Sequence, residues 1–467
     1  MGRRKKTLEQ VEVIDIADKG HSIGRTPEGE IILIDGAVPG DNVDTIILRK
    51  KKGLKFGKVL KINTYSDYRT NPFCDHFDQC GGCKWQNLNY SKQAELKENA
   101  VRAAMRRIAD DDENKVEPIL KAEQTSYYRN KLEYAFSNKR WLTEEEIQSD
   151  KTIEARNAVG FHRAGAFDKV VEIEKCHLQE NLSNEIRNHL RYLALEKNYS
   201  FYDIRNNHGL LRNLTIRNTT TNQWMVTVVF GEKSEDIEDI MANLSARFQN
   251  VKSWHYIINE KQNDSIHDQE ALHYSGERGI IENLGHIQCH IGPKSFFQTN
   301  STQAVNLYQT ALEYADLKKE DVLYDLYTGT GTIALFASKS CMSVVGIEQI
   351  QEAIDDANNN SILNNISNCQ FLVGDVKDTL SINFKSRYGS PDVLITDPPR
   401  AGMHTDVINT LLDLASPKIV YISCNPSTQA RDIKLLKEKY ELVKCKPVDM
   451  FPQTSHIESV ALLHLKP

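Results

Sequence analysis

The sequence predicts a three-part protein: a small β-barrel at the N-terminus, a mixed α+β middle, and a doubly wound α/β domain at the C-terminus. Three observations carry this. The chain has 467 residues, which at roughly 150 residues per domain makes about three domains. Its opening alternates short apolar runs with glycine and proline turns, and from Val322 onward strand and helix patterns alternate around a glycine-rich turn.

The barrel is expected over residues 1–64, with strands at Val11 to Ile16, Ile31 to Ile34, Asn42 to Leu48 and Gly57 to Ile62. Gly20, Gly24, Gly29, Gly36, Pro39-Gly40 and Gly53 mark its turns. The runs from Gly20 to Arg25 and from Ile34 to Asp41 resemble a TRAM domain, an OB-like RNA-binding module. The whole chain carries a net charge of -6, yet Arg49, Lys50, Lys51 and Lys52 with Lys55 and Lys58 form a local basic patch, suited to an RNA-binding barrel. Arg3 to Lys6 are basic but lead into Thr7-Leu8-Glu9-Gln10, so no secretory signal is expected. Apolar runs fall short of the roughly 18 to 20 residues that span a bilayer. The reading is a cytoplasmic protein, and a monomer.

The middle segment, residues 65–290, opens on cysteines. Nine cysteines in such a chain argue for metal or catalytic use of some of them, not for a disulfide framework. Cys74, Cys80 and Cys83 fall within ten positions, with Gly81-Gly82 allowing close backbone approach and the isolated Cys176 available as a fourth thiolate. Iron-sulfur and zinc both fit four cysteines; the five-residue gap before Cys80 favours iron-sulfur. His76 reads as an ordinary loop residue. From Asn89 to Ala109 apolar residues recur at three and four positions (Ala94, Leu96, Ala100, Val101, Ala104, Met105, Ile108), predicting an amphipathic helix that packs on the C-terminal domain. Strands follow at Lys131 to Phe136, Ala158 to His162, Val170 to Ile173, Leu214 to Arg217, Met225 to Phe230 and Trp254 to Ile258, with helices near 182–196 and 234–249. Tyr127 to Lys131 and Phe161 to Arg163 interleave aromatic and basic residues, a pattern that suits RNA as well as a half-buried sheet.

In the C-terminal domain, residues 291–467, strand Val322 to Leu326 runs into Tyr327-Thr328-Gly329-Thr330-Gly331-Thr332 and a helix. The next strand ends at Glu348. Glycines there let a cofactor approach the backbone, and a carboxylate about 20 residues on can accept ribose hydroxyls. The turn lacks the third glycine of the dinucleotide fingerprint, and Asp397-Pro398-Pro399-Arg400 closes a later strand. The Asp-Pro-Pro resembles the substrate-base pocket of nucleic-acid methyltransferases, and with the missing glycine this resemblance favours S-adenosylmethionine over a dinucleotide. Asp375, after strand Gln370 to Val373, is placed to meet the adenine edge or to serve as a turn aspartate.

The chemistry is expected at Tyr421 to Asp432. Apolar strand Ile419 to Ile422 ends in Cys424, held by Asn425-Pro426 before a helix opening near Ser427. Such a place can be electropositive and partly exposed, favouring thiolate. Glu458, flanked by Ile457 and Val460 in a run that reads as one buried final strand from Val448 to Leu463, has the raised pKa a general base needs. A thiolate, a base and a methyl donor fit one reaction: addition to uracil carbon 6, methylation of carbon 5, and loss of the carbon 5 proton. The base would be extruded from the RNA to reach the site.

The chain resembles the RNA 5-methyluridine methyltransferase family (RumA and TrmA type) over nearly its whole length. The resemblance lies in the four cysteines, Phe297 to Asn300, Asp325 to Tyr327, Gly346 to Glu348, Asp397 to Gly402, Ser423 to Pro426 and His456 to Glu458. It implies a Rossmann-like S-adenosylmethionine methyltransferase domain after the barrel and the cluster-bearing middle. It further implies a [4Fe-4S] cluster on Cys74, Cys80, Cys83 and Cys176, with zinc as the alternative. Gln298, Tyr327, Glu348 and Asp397 are implied at the cofactor, with Asp375, Gly329, Gly331 and Thr332 nearby, Cys424 as nucleophile and Glu458 as base. Thr328 and Thr332 depart from the family's usual cysteine and asparagine. Cys289, Cys341, Cys369 and Cys445 match no motif. Relatives joining a TRAM-like domain to this cysteine set point to 23S rRNA as substrate, with tRNA as runner-up. A non-catalytic RNA-binding protein with a vestigial site is the reading from another class.

Overall fold

The computed structural model describes residues 6–17, 20–149, 153, 156–380 and 382–467; Arg3 to Lys5 of the basic N-terminus lie outside them. Strands β1 (Thr7–Ile16), β2 (Ser22–Arg25), β3 (Ile31–Asp35), β4 (Asn42–Lys51) and β5 (Leu54–Thr64) close into a barrel in the order β1-β2-β3-β5-β4. Alternate residues Val11, Val13, Ile32, Ile34 and Val43 point inward and form its core. Four of the strands are legible as alternation. The fifth, β2, has four residues and contains Gly24, read as a turn. That glycine is there for space, since a Cβ would lie 2.5 Å from Ile34 and 2.6 Å from Val11. The basic run forms the exposed end of the β4–β5 hairpin, where Arg49 stacks on Phe56.

Helix α1 (Tyr90–Ala104) starts where Asn89 caps the amide of Lys92, and it runs into a π-turn at Met105–Ala109. Its Val101, Ala104 and Met105 join the core of the C-terminal domain, the packing expected of it. The expected apolar stripe holds with one correction: Ala100 is exposed, and it lines a cavity described below.

The middle sheet comprises β6 (Lys131–Ser137), β7 (Ala158–Arg163), β8 (Ala166–Glu172), β9 (Leu211–Asn218), β10 (Trp224–Phe230), β11 (Ser253–Ile258) and β12 (Leu272–Gly276), in the order β12-β11-β10-β9-β6-β7-β8. The short α2 (Glu144–Gln148) follows β6, and α3 (Asn181–Glu196) and α4 (Asp236–Arg247) bury Ile186, Leu190, Ile240 and Met241 with this sheet. A hairpin, β13 (Ile280–Leu284) and β14 (Ile287–Ile291), leads to α5 (Ser301–Ala315).

The last sheet has the order β17-β16-β15-β18-β19-β21-β20, built from β15 (Val322–Leu326), β16 (Ser343–Glu348), β17 (Cys369–Val373), β18 (Val393–Thr396), β19 (Lys418–Ser423), β20 (Tyr440–Val448) and β21 (Glu458–Leu465). Its first five strands are parallel and joined through α6 (Thr332–Ala337), α7 (Gln351–Leu363), α8 (Val376–Thr379), α9 (Ile382–Tyr388) and α10 (Thr405–Leu414). Helix α11 (Pro426–Leu436) links β19 to β20, and β21 runs antiparallel between them. The order reverses between β15 and β18, the crevice where open α/β sheets bind ligands. The expected single strand from Val448 to Leu463 is broken: β20 ends at Val448, and residues 449–457 make a loop before Glu458. Among the described residues no helix is long and apolar enough to cross a membrane.

Candidate active site

The carboxyl ends of β15, β16, β18 and β19 bring the sequence-predicted residues to one edge of the sheet. At β15, Tyr327 and Gly329 both adopt left-handed backbone, with φ of 61° and 56°. For a tyrosine that conformation is strained, so the turn is held by its surroundings. Thr328 Oγ1 donates to Asp325 Oδ2 at 2.5 Å, and Ala334 N donates to the same oxygen at 3.1 Å. The threonine thus fastens the turn from inside. Asp325 and Thr328 are the residues of this site whose roles the sequence reading missed. Gly331 is needed where it stands, because a Cβ would meet Ala357 and Phe371 at 2.9 Å.

Glu348, ending β16, accepts from Gly329 N at 3.3 Å and from Ile350 N at 3.1 Å, so the expected ribose-binding carboxylate already faces the glycine turn. Asp375 caps α8 by accepting from Lys377 N at 3.1 Å, the turn role weighed for it. The Thr332 hydroxyl lies 3.2 Å from Tyr308 Oη. Gln298 is half-buried, and its carbonyl accepts from Asn130 Nδ2 at 2.8 Å.

At the end of β19, Asn425 accepts from Ser427 N at 3.1 Å and Pro426 occupies the first turn of α11, so Cys424 sits in a rigid strand-to-helix turn. The register pairs Ser423 with Ser459 across β19 and β21, which sets Glu458, the first residue of β21, beside Cys424. Glu458 is 5% exposed, and burial with the neighbouring Asp397 pushes its carboxyl well above the usual range. Burial also raises Asp397, with Asp325 adding to it, to about 7.

These carboxylates correct one expectation. Cys424 is partly exposed, as expected, but its surroundings do not favour thiolate. Burial first, then Glu458 and Asp397, push the thiol up to about 11, with Arg400 opposing. The thiol opens onto a cavity of about 350 Å³ that also takes in Arg400, His456, Lys97 and Ala100 of α1, and Ile16 of the barrel. All three parts of the chain meet there.

The four predicted cysteines also converge. Cys74, Cys80, Cys83 and Cys176 line one cavity of about 340 Å³. Gly81 is required by close approach, since a Cβ would lie 2.4 Å from the carbonyl of His162. His76 Nε2 accepts from Glu174 N at 3.0 Å, the loop role expected of it. Burial and neighbouring thiols push Cys80 and Cys83 up to about 12. Among the described residues no three such side chains gather closely enough to hold a single metal ion. Of the unassigned cysteines, Cys289, Cys341 and Cys445 are buried and Cys369 is half-buried. The aromatic and basic stretches are largely engaged: Tyr128 donates to the Pro452 carbonyl at 2.9 Å, Arg129 lies over Phe451, and Arg163 lies over Trp141.

Residues 201–466 match the model of the tRNA (uracil-5-)-methyltransferase family. The chain belongs to this family. It is an RNA methyltransferase of the uracil-C5 class, which sets aside the non-catalytic reading. It is 46% identical to an "Uncharacterized RNA methyltransferase" of Bacteroides thetaiotaomicron over 97% of this chain and 100% of that one. A second, from Chlorobaculum tepidum, is 35% identical over 98% of this chain and 96% of its own. Among solved structures, the tRNA (uracil-54, C5)-methyltransferase of Pyrococcus abyssi, in complex with S-adenosyl-L-homocysteine, is similar with a TM-score of 0.74 and 27% identity. That match covers 97% of this chain and 100% of the other. The fold of this family member is thus that of an S-adenosylmethionine-dependent methyltransferase preceded by a small closed barrel.

Proposed function

We propose that this protein methylates carbon 5 of one uridine in 23S rRNA, with Cys424 as nucleophile and Glu458 as base. The observation that carries the reading is the β19–β21 register, which sets these two side chains next to each other at the sheet edge where Asp397 also sits. Cys424 gives up its thiol proton to solvent in the cavity it lines, Sγ adds to carbon 6, and the carbon 5–carbon 6 pair moves toward carbon 5 as an enolate forms. S-adenosylmethionine, when bound, would supply an electrophilic methyl group to carbon 5, its methyl–sulfur bond breaking to leave S-adenosylhomocysteine. Glu458 then removes the carbon 5 proton, the double bond re-forms, and the carbon 6–sulfur bond breaks to release Cys424. Asp397, half protonated at about pH 7, is suited in its protonated form to donate to a uracil carbonyl. Gln298, Tyr327, Glu348, Gly329, Gly331, Thr332 and Asp375 surround the cofactor in this reading.

The cysteine cavity supports a [4Fe-4S] cluster held by Cys74, Cys80, Cys83 and Cys176. The four cysteines line one cavity of about 340 Å³, shared with Phe77, Arg129 and Glu133, which has room for a cluster. Its chemistry in this reading is structural, cross-linking the cysteine loop to Cys176. The barrel supports a TRAM-type RNA-binding role, and the proposed division is 1–64, 65–290 and 291–467, in a monomeric cytoplasmic enzyme.

The combination of barrel and cysteine set supports 23S rRNA. The whole-chain similarity to an enzyme described as acting on uracil-54 of tRNA supports tRNA as the second reading. Incubating unmodified 23S and tRNA transcripts with labelled methyl donor decides between them: label in 23S supports the proposal, and label in tRNA alone overturns the substrate.

A further inference from the structure

The loop that delivers Glu458, residues 449–457, is fastened mainly by the middle segment. Gln93 Nε2 donates to Gln453 Oε1 at 3.0 Å, and Gln453 N donates to Gln93 Oε1 at 2.9 Å, a reciprocal pair between buried side chains 360 residues apart. The backbone amides of Lys84 and Trp85, directly after Cys83, both donate to the Gln453 carbonyl, at 2.9 and 3.1 Å. Lys97 Nζ donates to Asp449 at 2.6 Å and to the Phe451 carbonyl at 3.0 Å, with both charged residues buried. Thr454 lines the cysteine cavity. Five residues beyond Gln453 the chain reaches Glu458.

We propose that the four-cysteine site acts on the reaction through this loop. The Lys84–Trp85 amides and Gln93 are positioning groups that set Glu458 against the substrate, so an intact cysteine loop governs proton removal and not thiol addition. Cys424 takes its place from β19 and the Asn425-Pro426 cap; it shares a cavity with His456 and Ile457 of the loop, but none of the described hydrogen bonds of residues 423–425 reaches residues 449–457. Loosening the loop therefore separates the two halves of the reaction. Carbon 6 addition and methyl transfer proceed, while elimination stalls with the RNA still bonded to Cys424. The inference rests on the proposed roles of Cys424 and Glu458.

The test uses full-length protein, S-adenosylmethionine and the transcript that accepts label, in ordinary-uridine and 5-fluorouridine forms. Gln93→Met keeps the volume and removes the amide. Gln453→Gly removes the other amide and suits the φ of 68° there. The expected result is turnover lowered about tenfold or more, a protein–RNA adduct on ordinary uridine that persists on denaturing gels, and a 5-fluorouridine adduct rate within about threefold of wild type. Stripping iron from wild-type protein with a chelator and reductant gives the same persistent adduct. Restoring the amide as Gln93→Asn recovers part of the turnover. Three results overturn the proposal: undiminished turnover in both variants, loss of the 5-fluorouridine adduct in step with turnover, or normal elimination in iron-depleted protein. Should Gln93→Met lower the melting temperature sharply, Gln453→Gly carries the decision. Wild-type protein that forms no 5-fluorouridine adduct refutes the proposed function itself.

Discussion

The ionisation of Cys424 follows directly from its neighbours, and replacing Glu458 by glutamine perturbs it in a calculable direction. The thiol is raised from 9.0 to about 11, first by burial and then by Glu458 and Asp397. Two units correspond to about 2.7 kcal/mol against the thiolate. At pH 8 about one thiol in a thousand is ionised, against about one in ten for a thiol of pKa 9, so alkylation by iodoacetamide runs about a hundredfold slower. Its logarithm rises with unit slope up to about pH 10 without a plateau. Glu458→Gln removes the second cause and leaves the first, so the midpoint falls below 11 and stays above that of a free thiol. Peptide mapping by mass spectrometry, in protein without RNA or methyl donor, separates Cys424 from the other cysteines. A wild-type plateau below pH 8, or a Glu458→Gln profile that does not move, would refute the electrostatic account.

Asp397→Asn abolishes methylation yet stabilises the ligand-free protein. With a folded midpoint of about 7 against an unfolded value near 3.9, the carboxyl costs nothing below about pH 4 and its full amount above about pH 7. Three units set a ceiling of about 4 kcal/mol, trimmed to about 1–3 because the side chain is only half-buried, and urea melts at pH 5 and 8 read the difference. Lys97→Met leaves Asp449 buried without its cation and costs about 3–5 kcal/mol in the same melts. Gly81→Ala forces its Cβ against the His162 carbonyl, so with the proposed cluster the variant purified without oxygen holds less iron and brown colour than wild type; wild-type protein that is colourless with stoichiometric zinc refutes the cluster.

The sequence made the candidate site positions legible where local order fixes them. Three cysteines lie within ten residues, Asn-Pro follows Cys424, and glycines sit in the turn after β15. Cys176 was visible only as an isolated cysteine, and its approach to the others depends on the fold. The loop at 449–457 escaped because Val448, Met450 and Ile457 read like strand, and what ends the strand there is bonding to residues 84–97, far away in sequence. Gln93 and Lys97 did leave a signal: they continue, four residues apart, into Val101 and Met105, polar groups set in an apolar stripe. The charge balance at Cys424 was illegible, since its carboxylates come from two other strands that only the sheet order brings together.

The central claim, that Cys424 adds to uracil in a folded RNA, is tested most directly by 5-fluorouridine RNA, which has no carbon 5 proton for Glu458 to remove. With S-adenosylmethionine present, wild-type protein should form a covalent adduct that survives denaturation, and Glu458→Gln should form it too. Absence of the adduct in wild type, or its persistence in Cys424→Ala, would contradict the mechanism.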